Sequence, residues 1–205
     1  MQIFCFGDSI TWGSWEKEGG WADRLKRSYY DYVESHQSAW VEIYNLGVPG
    51  NRTDDLVQRF TIETSQRIDE EDNGRIFVFA FGANDAAFDS IQNTFCCPPD
   101  RFENNLRKCI AEAKRLSGRV FLLTVTPVIE ERNLRPERIR KNENILKYNN
   151  ILKYVALEEG SSVIDVHSAF IQQDPSQLLN QDGLHPNARG HELIFTNIKK
   201  ELSIF

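Results

Sequence analysis

The sequence predicts an α/β fold in which a parallel sheet of five strands lies between two layers of helices. Short apolar segments alternate with longer amphipathic segments along the 205 residues, which is typical of parallel α/β proteins. The most strand-like segment, residues 75–81, is apolar on both faces, as in a central strand that helices cover on both sides. No Pro-, Gly- or Ser-rich linker divides the chain, so we expect one domain over residues 1–205.

Five segments are predicted as strands because they are short, apolar and rich in β-branched or aromatic residues. A glycine directly follows each of the first two predicted strands, and these glycines, Gly7 and Gly47, favour a turn at each strand end. The predicted strands are residues 2–6, 41–46, 75–81, 120–125 and 162–166.

The segments between the strands carry apolar side chains at helical spacing. In the first of them, Trp21, Leu25 and Tyr29 share one face. Thr53 and Asp54 are expected to cap the second helix. The predicted helices are residues 21–36, 55–68, 101–116, 140–159 and 188–202, the fourth of which ends at Gly160.

Composition and charge exclude several classes of protein. Lys and Arg number 24 against 30 Asp and Glu, and the net charge of −6 argues against a nucleic-acid partner. No apolar stretch approaches the ~20 residues of a membrane span, and the N-terminus resembles a first strand instead of a signal peptide. The cysteines lack CxxC spacing, so we expect reduced thiols in a cytoplasmic protein. They are Cys5, Cys96, Cys97 and Cys109.

In folds of this class the site lies at the carboxyl ends of the strands, and Ser9 follows the first strand directly. The Gly7-Asp8-Ser9 sequence places a hydroxyl on a tight turn above the sheet. A helix that begins nearby would add positive potential for a developing oxyanion. The alternative is an ordinary turn, because Gly, Asp and Ser all favour turns.

Two further strand ends carry possible hydrogen-bond donors. Gly50 follows the second strand and could offer its backbone amide to a substrate, although a Pro-Gly turn explains it as well. Asn84 follows the third strand, and its side-chain amide is a neutral donor suited to an oxyanion. A cap or turn role is the alternative for Asn84, and Asp85 is expected to cap the segment that follows it.

The segment Asp182-Gly183-Leu184-His185-Pro186 offers a base and its partner. A serine nucleophile needs an imidazole as general base, and that imidazole needs an acceptor to fix its tautomer. Asp182 can supply the acceptor locally, three residues before His185. Histidines 36, 167 and 191 have no carboxylate in the same tight arrangement, although Asp165 lies close to His167 in sequence.

Taken in order, these segments resemble the conserved blocks of the SGNH (GDSL) hydrolase family. The one departure from the GDSL letters is Ile10 in place of leucine, a change with no chemical role. This resemblance implies a flavodoxin-like three-layer α/β/α sandwich with a five-stranded parallel sheet. The matching blocks are Gly7-Asp8-Ser9-Ile10, Gly50, Gly82-x-Asn84-Asp85 and Asp182-x-x-His185-Pro186.

The resemblance also implies a role for each matched residue. Ser9 would be the nucleophile, His185 its general base, and Asp182 the residue that orients the base. The family's activity implies a carboxylic ester hydrolase that acts on small-molecule esters without a metal or other cofactor. The oxyanion hole would consist of the backbone N–H of Ser9, the N–H of Gly50, with Gly47 as its rival, and the side-chain amide of Asn84.

The substrate is expected to be a short or otherwise water-soluble ester, since no long apolar lid is evident in the sequence. Apolar side chains that could shape the pocket are Trp12, Phe88 and Phe95. The charged segment 127–141 is either a solvated loop or a polar rim for a soluble or anionic substrate. Thioesterase, lysophospholipase, carbohydrate O-acetylesterase and acyltransferase activities are alternatives on the same site, and a non-catalytic anion-binding module is a more distant one. The sequence does not predict the oligomeric state.

Overall fold

A computed structural model describes residues 1–36, 40–71, 74–132 and 135–203, apart from the side chain of His36. Seven helices and eight strands are assigned within this part of the chain. In chain order they are β1 (Gln2–Gly7), α1 (Ser9–Trp12), α2 (Trp21–His36), β2 (Glu42–Gly47), α3 (Thr53–Ser65), β3 (Arg75–Ala80), β4 (Phe88–Asp89), β5 (Thr94–Phe95), α4 (Pro99–Arg115), β6 (Gly118–Leu123), β7 (Arg138–Ile139), α5 (Asn142–Glu158), β8 (Ser162–Ile164), α6 (Val166–Gln172) and α7 (Ala188–Leu202).

The main sheet has five parallel strands in the order β2-β1-β3-β6-β8. The second strand, β2, lies on one side of β1, and the third, β3, lies on its other side. The strand order therefore reverses between β1 and β3. Gly7 is in register with both Gly47 and Ala80, which brings the ends of three strands level at this reversal. Ligands bind at such switch points in open α/β sheets. The predicted fold class is confirmed.

Both faces of the sheet are buried, as the apolar pattern of residues 75–81 predicts. Phe4, Phe6, Phe77 and Phe79 project to one face. The rings of the last three pack around Phe60 of α3, and Phe4 stacks on Phe77. Their neighbours in sequence project to the other face, beneath α2, α6 and α7. The alternation follows from the two-residue period of a strand, and the result is a three-layer α/β/α arrangement.

Helix α3 begins at Thr53, so the prediction that Thr53 and Asp54 cap a helix from residue 55 is wrong. Asp85, in the loop after β3, accepts hydrogen bonds from the Thr53 backbone N–H at 2.8 Å and from its hydroxyl at 2.6 Å. The Asp55 carboxylate accepts from the backbone N–H of Arg52 at 2.8 Å. Asp85 therefore stabilises the start of α3, not the segment that follows it.

The other differences lie in short elements. Strands β4, β5 and β7 form a small antiparallel sheet in the order β5-β4-β7, with two residues in each strand, too few for a sequence period to show. Helix α5 begins at Asn142 and not at residue 140, because the segment before it is extended and pairs with β4. Strand β8 ends at Ile164, since Asp165 caps α6 by accepting from the Ser168 N–H.

Candidate active site

Ser9 is the first residue of α1, two residues beyond the end of β1, with Asp8 between them. Asp8 caps the helix, and its carboxylate accepts from the backbone N–H of Ile10 at 2.9 Å. A Cβ at Gly7 would come within 2.0 Å of the Thr11 hydroxyl, so only glycine permits this close return of the chain. The cap engages Ile10 and not Ser9, whose own N–H has no protein acceptor among the described residues.

The structure brings Ser9, His185 and Asp182 into one chain of hydrogen bonds. The Nε2 atom of His185 lies 2.8 Å from the Ser9 Oγ, and its Nδ1 atom lies 2.5 Å from Asp182 Oδ2. The other carboxylate oxygen of Asp182 accepts from the backbone N–H groups of Leu184 and His185, at 3.0 and 3.1 Å. These bonds fix the carboxylate relative to the imidazole across the turn.

The electrostatics of Asp182 keep it ionised. Its half-buried position raises its pKa, but the hydrogen bonds from the His185 ring and from two backbone N–H groups outweigh burial, and the net pKa lies below the ordinary value. An ionised Asp182 can only accept, so Nδ1 of His185 carries the proton. Nε2 is then the acceptor for the Ser9 hydroxyl.

Asn84 is held by partners on both ends of its side-chain amide. The Nδ2 group donates to the Asn51 carbonyl at 3.0 Å and approaches Asp8 Oδ2 at 3.4 Å. The Oδ1 atom accepts from Nη2 of Arg140 at 2.9 Å, and Nε of the same guanidinium donates to the Ala83 carbonyl at 2.9 Å. Because a guanidinium only donates, Arg140 fixes which end of the amide is oxygen.

Gly47 and Gly50 differ in exposure and in what their backbone contacts. The Gly47 N–H donates to the Asn45 side chain at 3.1 Å, and a Cβ there would come within 2.2 Å of the Trp12 nitrogen. Gly47 is therefore a buried contact that lets α1 approach β2. Gly50 is exposed, has φ +83° and nothing within 4 Å of an added Cβ, and lines the cavity beside Ser9.

Two buried carboxyl groups lie beneath this site. Burial, with a smaller contribution from Asp85, raises the pKa of Asp8 to about 6, against the Ile10 N–H bond and the charges of His185 and Arg140, which lower it. Burial likewise raises the pKa of Asp85 to about 6 against the hydrogen bonds from Thr53. Both groups serve the ends of helices, Asp8 at α1 and Asp85 at α3.

A cavity of about 340 Å³ opens beside Ser9 and His185. Trp15 is 74% exposed, lies with its ring centroid 6.2 Å from that of His185, and holds the left-handed φ of +72°. Such backbone strain in a tryptophan is uncommon and often marks functional sites. The remaining wall includes Ser14, Pro49 and Leu184.

The three predicted pocket residues are placed elsewhere. Among the described residues, Trp12, Phe88 and Phe95 do not line this cavity. Phe88 and Phe95 pack edge to face at 5.7 Å, because β4 and β5 pair them directly, and Phe95 also packs on Tyr148. Trp12 is 56% exposed at the end of α1.

The charged segment 127–141 divides into two parts. Residues 133–134 of this segment lie outside the described residues. Glu130–Arg132 forms a 3₁₀ turn away from the cavity wall. Arg135, Arg138 and Arg140 line the cavity. The burial of Arg140 against Asn84 is the feature of this segment that the sequence did not predict, because Arg140 sits in a run of charges and carries no pattern that indicates burial.

No group of three or more His, Cys, Asp or Glu side chains that could hold a metal ion occurs among the described residues. Within the same residues, no helix combines the length and the apolar character needed to cross a membrane.

Comparison with known proteins agrees with the fold. The sequence profile of the GDSL-like Lipase/Acylhydrolase family matches residues 5–193. The chain belongs to this family and is a carboxylic ester hydrolase.

The chain is 28% identical to the human isoamyl acetate-hydrolyzing esterase 1 homolog over 215 aligned positions, which cover 96% of this chain and 79% of that protein. Its structure is similar to that of a lipase/acylhydrolase from Enterococcus faecalis, with a TM-score of 0.77, 29% identity, and coverage of 98% of this chain and 94% of the other. Axe2, an acetylxylan esterase from Geobacillus stearothermophilus, shares the fold, with a TM-score of 0.76, 20% identity, and coverage of 100% and 94%.

Proposed function

We propose that the protein is a serine esterase that hydrolyses short-chain or otherwise water-soluble carboxylic esters through an acyl-enzyme. The hydrogen-bonded chain from Ser9 through His185 to Asp182, at the mouth of a cavity, carries the proposal. Nucleophile, base and orienting acid stand in the relation that acyl transfer by serine requires.

In the first half-reaction, Nε2 of His185 takes the Ser9 proton while Oγ attacks the ester carbonyl. The tetrahedral intermediate collapses, the bond to the alkoxy group breaks, and the imidazolium returns its proton to the leaving alcohol. Water then attacks the acyl-enzyme with His185 again as base, which releases the carboxylic acid and restores Ser9. Asp182 stabilises the imidazolium that forms in each half.

Three donors from residues that line the cavity form the oxyanion hole in this proposal. They are the N–H of Ser9 at the start of α1, the N–H of Gly50 and the side-chain amide of Asn84. Gly50 is exposed and lines the cavity whereas Gly47 is buried, which favours Gly50 as the second donor. Preorganised donors of this kind stabilise the transition state because they need no reorientation as charge develops.

The size of the cavity supports small substrates. At about 340 Å³ it lies at the lower end of ligand pockets in proteins. The name of the human relative, an isoamyl acetate-hydrolyzing esterase homolog, supports a short acyl group.

The test is labelling with a fluorescent fluorophosphonate, together with hydrolysis of p-nitrophenyl acetate, butyrate and octanoate. Wild type should be labelled and should hydrolyse the shorter esters faster. Ser9→Ala should lose both the labelling and the hydrolysis while its circular dichroism spectrum stays that of wild type. Ser65→Ala, at an exposed serine at the end of α3, is the matched control and should label as wild type. Labelling that persists in Ser9→Ala, or a folded wild type that neither labels nor turns over, would overturn the proposal.

A further inference from the structure

Three arginines lie together on the wall of the cavity that holds Ser9, and we call Arg135, Arg138 and Arg140 the arginine cluster. Local backbone geometry brings them together. The Arg138 N–H donates to the Arg135 carbonyl at 3.0 Å in a tight turn. Arg138 and Arg140 are two residues apart in an extended segment, so their side chains leave the same face.

The members of the arginine cluster differ in burial. Arg135 is exposed, Arg138 is half-buried and Arg140 is only 8% exposed. Two donors of Arg140 are already bonded, to the Ala83 carbonyl and to the Asn84 side chain. Because Arg135 and Arg138 reach the surface of the cavity and Arg140 is buried, a ligand in the cavity would meet Arg135 and Arg138, while Arg140 adds charge at the base.

The cavity wall concentrates positive charge in a protein whose net charge is −6. Of the described residues that line the cavity, Asp182 alone is acidic, and it is bonded to His185. Burial lowers the pKa of Arg140, the nearby Asp8 raises it, and repulsion from Arg138 and Arg135 lowers it. Arg138 and Arg135 thus repel the Arg140 guanidinium, and an anion bound in the cavity would offset this repulsion.

We propose that the arginine cluster binds an anionic group carried by the ester, a carboxylate or a phosphate, so that the enzyme prefers small anionic esters to neutral esters of the same size. This inference rests on the proposed esterase function of Ser9. Guanidinium groups match carboxylate and phosphate oxygens in charge and in bidentate geometry. Positive charge in a narrow cavity also accelerates the arrival of an anion.

The test compares kcat/KM for matched pairs of anionic and neutral esters, followed by proton release in a pH-stat. Monoethyl glutarate against its amide, ethyl glutaramate, places a carboxylate on the acyl side. Acetoxyacetate against acetoxyacetamide places it on the alcohol side, and 2-acetoxyethyl phosphate against its neutral dimethyl ester replaces it with phosphate. We expect the anionic member of at least one pair to be preferred by about 10- to 100-fold, and the pair that shows it identifies the side and the anion.

Arg138→Gln and Arg135→Gln should each lower this preference about tenfold, mainly through KM of the anionic ester. High salt, about 0.5 M KCl, should lower it in wild type. Arg115→Gln removes the same charge from an exposed site at the end of α4 and should leave the preference as in wild type. Equal kcat/KM within all three pairs, or a preference that both cavity variants retain, would overturn the proposal.

A binding measurement separates this inference from the esterase proposal. Glutarate, glycolate and 2-hydroxyethyl phosphate are product anions of the three anionic esters, and their binding to Ser9→Ala is measured by calorimetry without any turnover. At least one should bind, and its affinity should fall about tenfold in Ser9→Ala/Arg138→Gln. Absence of binding by all three would contradict the anion site even if neutral esters are hydrolysed. Binding without hydrolysis of any ester would contradict the esterase alone.

Discussion

Arg140→Met tests whether a buried guanidinium supports turnover by holding Asn84 in one orientation. Arg140 donates to Asn84 Oδ1 at 2.9 Å, which turns the amide N–H₂ toward Asn51 and the oxyanion position. Methionine fills a similar volume without a donor, so the amide can rotate and present its oxygen to a developing negative charge. A hydrogen bond to a charged donor contributes about 1.5–3 kcal/mol. The expected loss is about 10- to 150-fold in kcat, with KM for p-nitrophenyl acetate little changed.

The assay is a double-mutant cycle with Asn84→Ala. Removal of one oxyanion donor costs roughly 100- to 1000-fold in kcat in other hydrolases. If Arg140 acts through Asn84, Arg140→Met in the Asn84→Ala background should cost less than about threefold, because the group it orients is already absent.

Arg140→Lys restores a positive charge without the planar pair of donors and should recover part of the activity. Urea unfolding of each variant measures the structural cost of leaving the Ala83 carbonyl without its donor. Effects that multiply across the cycle would refute the reasoning, because Arg140 would then act independently of Asn84.

Three further predictions address the imidazole, the glycines and a buried carboxyl group. Asp182→Asn should lower kcat by about four orders of magnitude, because an amide N–H₂ facing Nδ1 favours the tautomer whose Nε2 cannot accept from Ser9; wild-type rates would contradict this. Gly47→Ala should lower the urea midpoint of unfolding more than Gly50→Ala does, since the new Cβ of residue 47 meets the Trp12 backbone at 2.2 Å. Gly50→Ala has open space around its Cβ and should cost only about 1–2 kcal/mol for its left-handed φ. Equal urea midpoints for the two variants would contradict this. Asp85 has a folded pKa of about 6 against 3.8, so its stabilising contribution is complete below pH 3.8 and is lost as pH rises through 6. In urea unfolding, the free energy of unfolding of wild type should therefore fall by about 3 kcal/mol over that pH range, and Asp85→Asn should lack this fall. Identical pH profiles of stability for wild type and Asp85→Asn would refute the assignment.

The sequence predicts the sheet because its strands are buried on both faces, and an apolar run such as residues 75–81 is visible without any knowledge of its neighbours. It also predicts that Ser9 and Asn84 lie just beyond strand ends, since parallel strands bring their carboxyl ends to one edge, whereas His185 follows helix α6 and is predicted from its spacing to Asp182. The small antiparallel sheet escapes prediction because each strand has two residues, and because β4 pairs not only with the nearby β5 but also with β7, which follows much later in the chain. The start of α3 escapes for the same reason, because Asp85 binds Thr53 from 32 residues away.

Arg140 shows why the support of a site is harder to predict than its reactive groups. Reactive groups lie in short local patterns: Asp182 and His185 are three residues apart, and Ser9 follows Gly7 and Asp8. The Arg140–Asn84 bond joins residues 56 positions apart, and the sequence around Arg140 is rich in charges of both signs. Burial alone distinguishes Arg140 from its neighbours, and that burial depends on β7 pairing with β4. A change that weakens this pairing should therefore lower kcat through Asn84 without touching Ser9, His185 or Asp182.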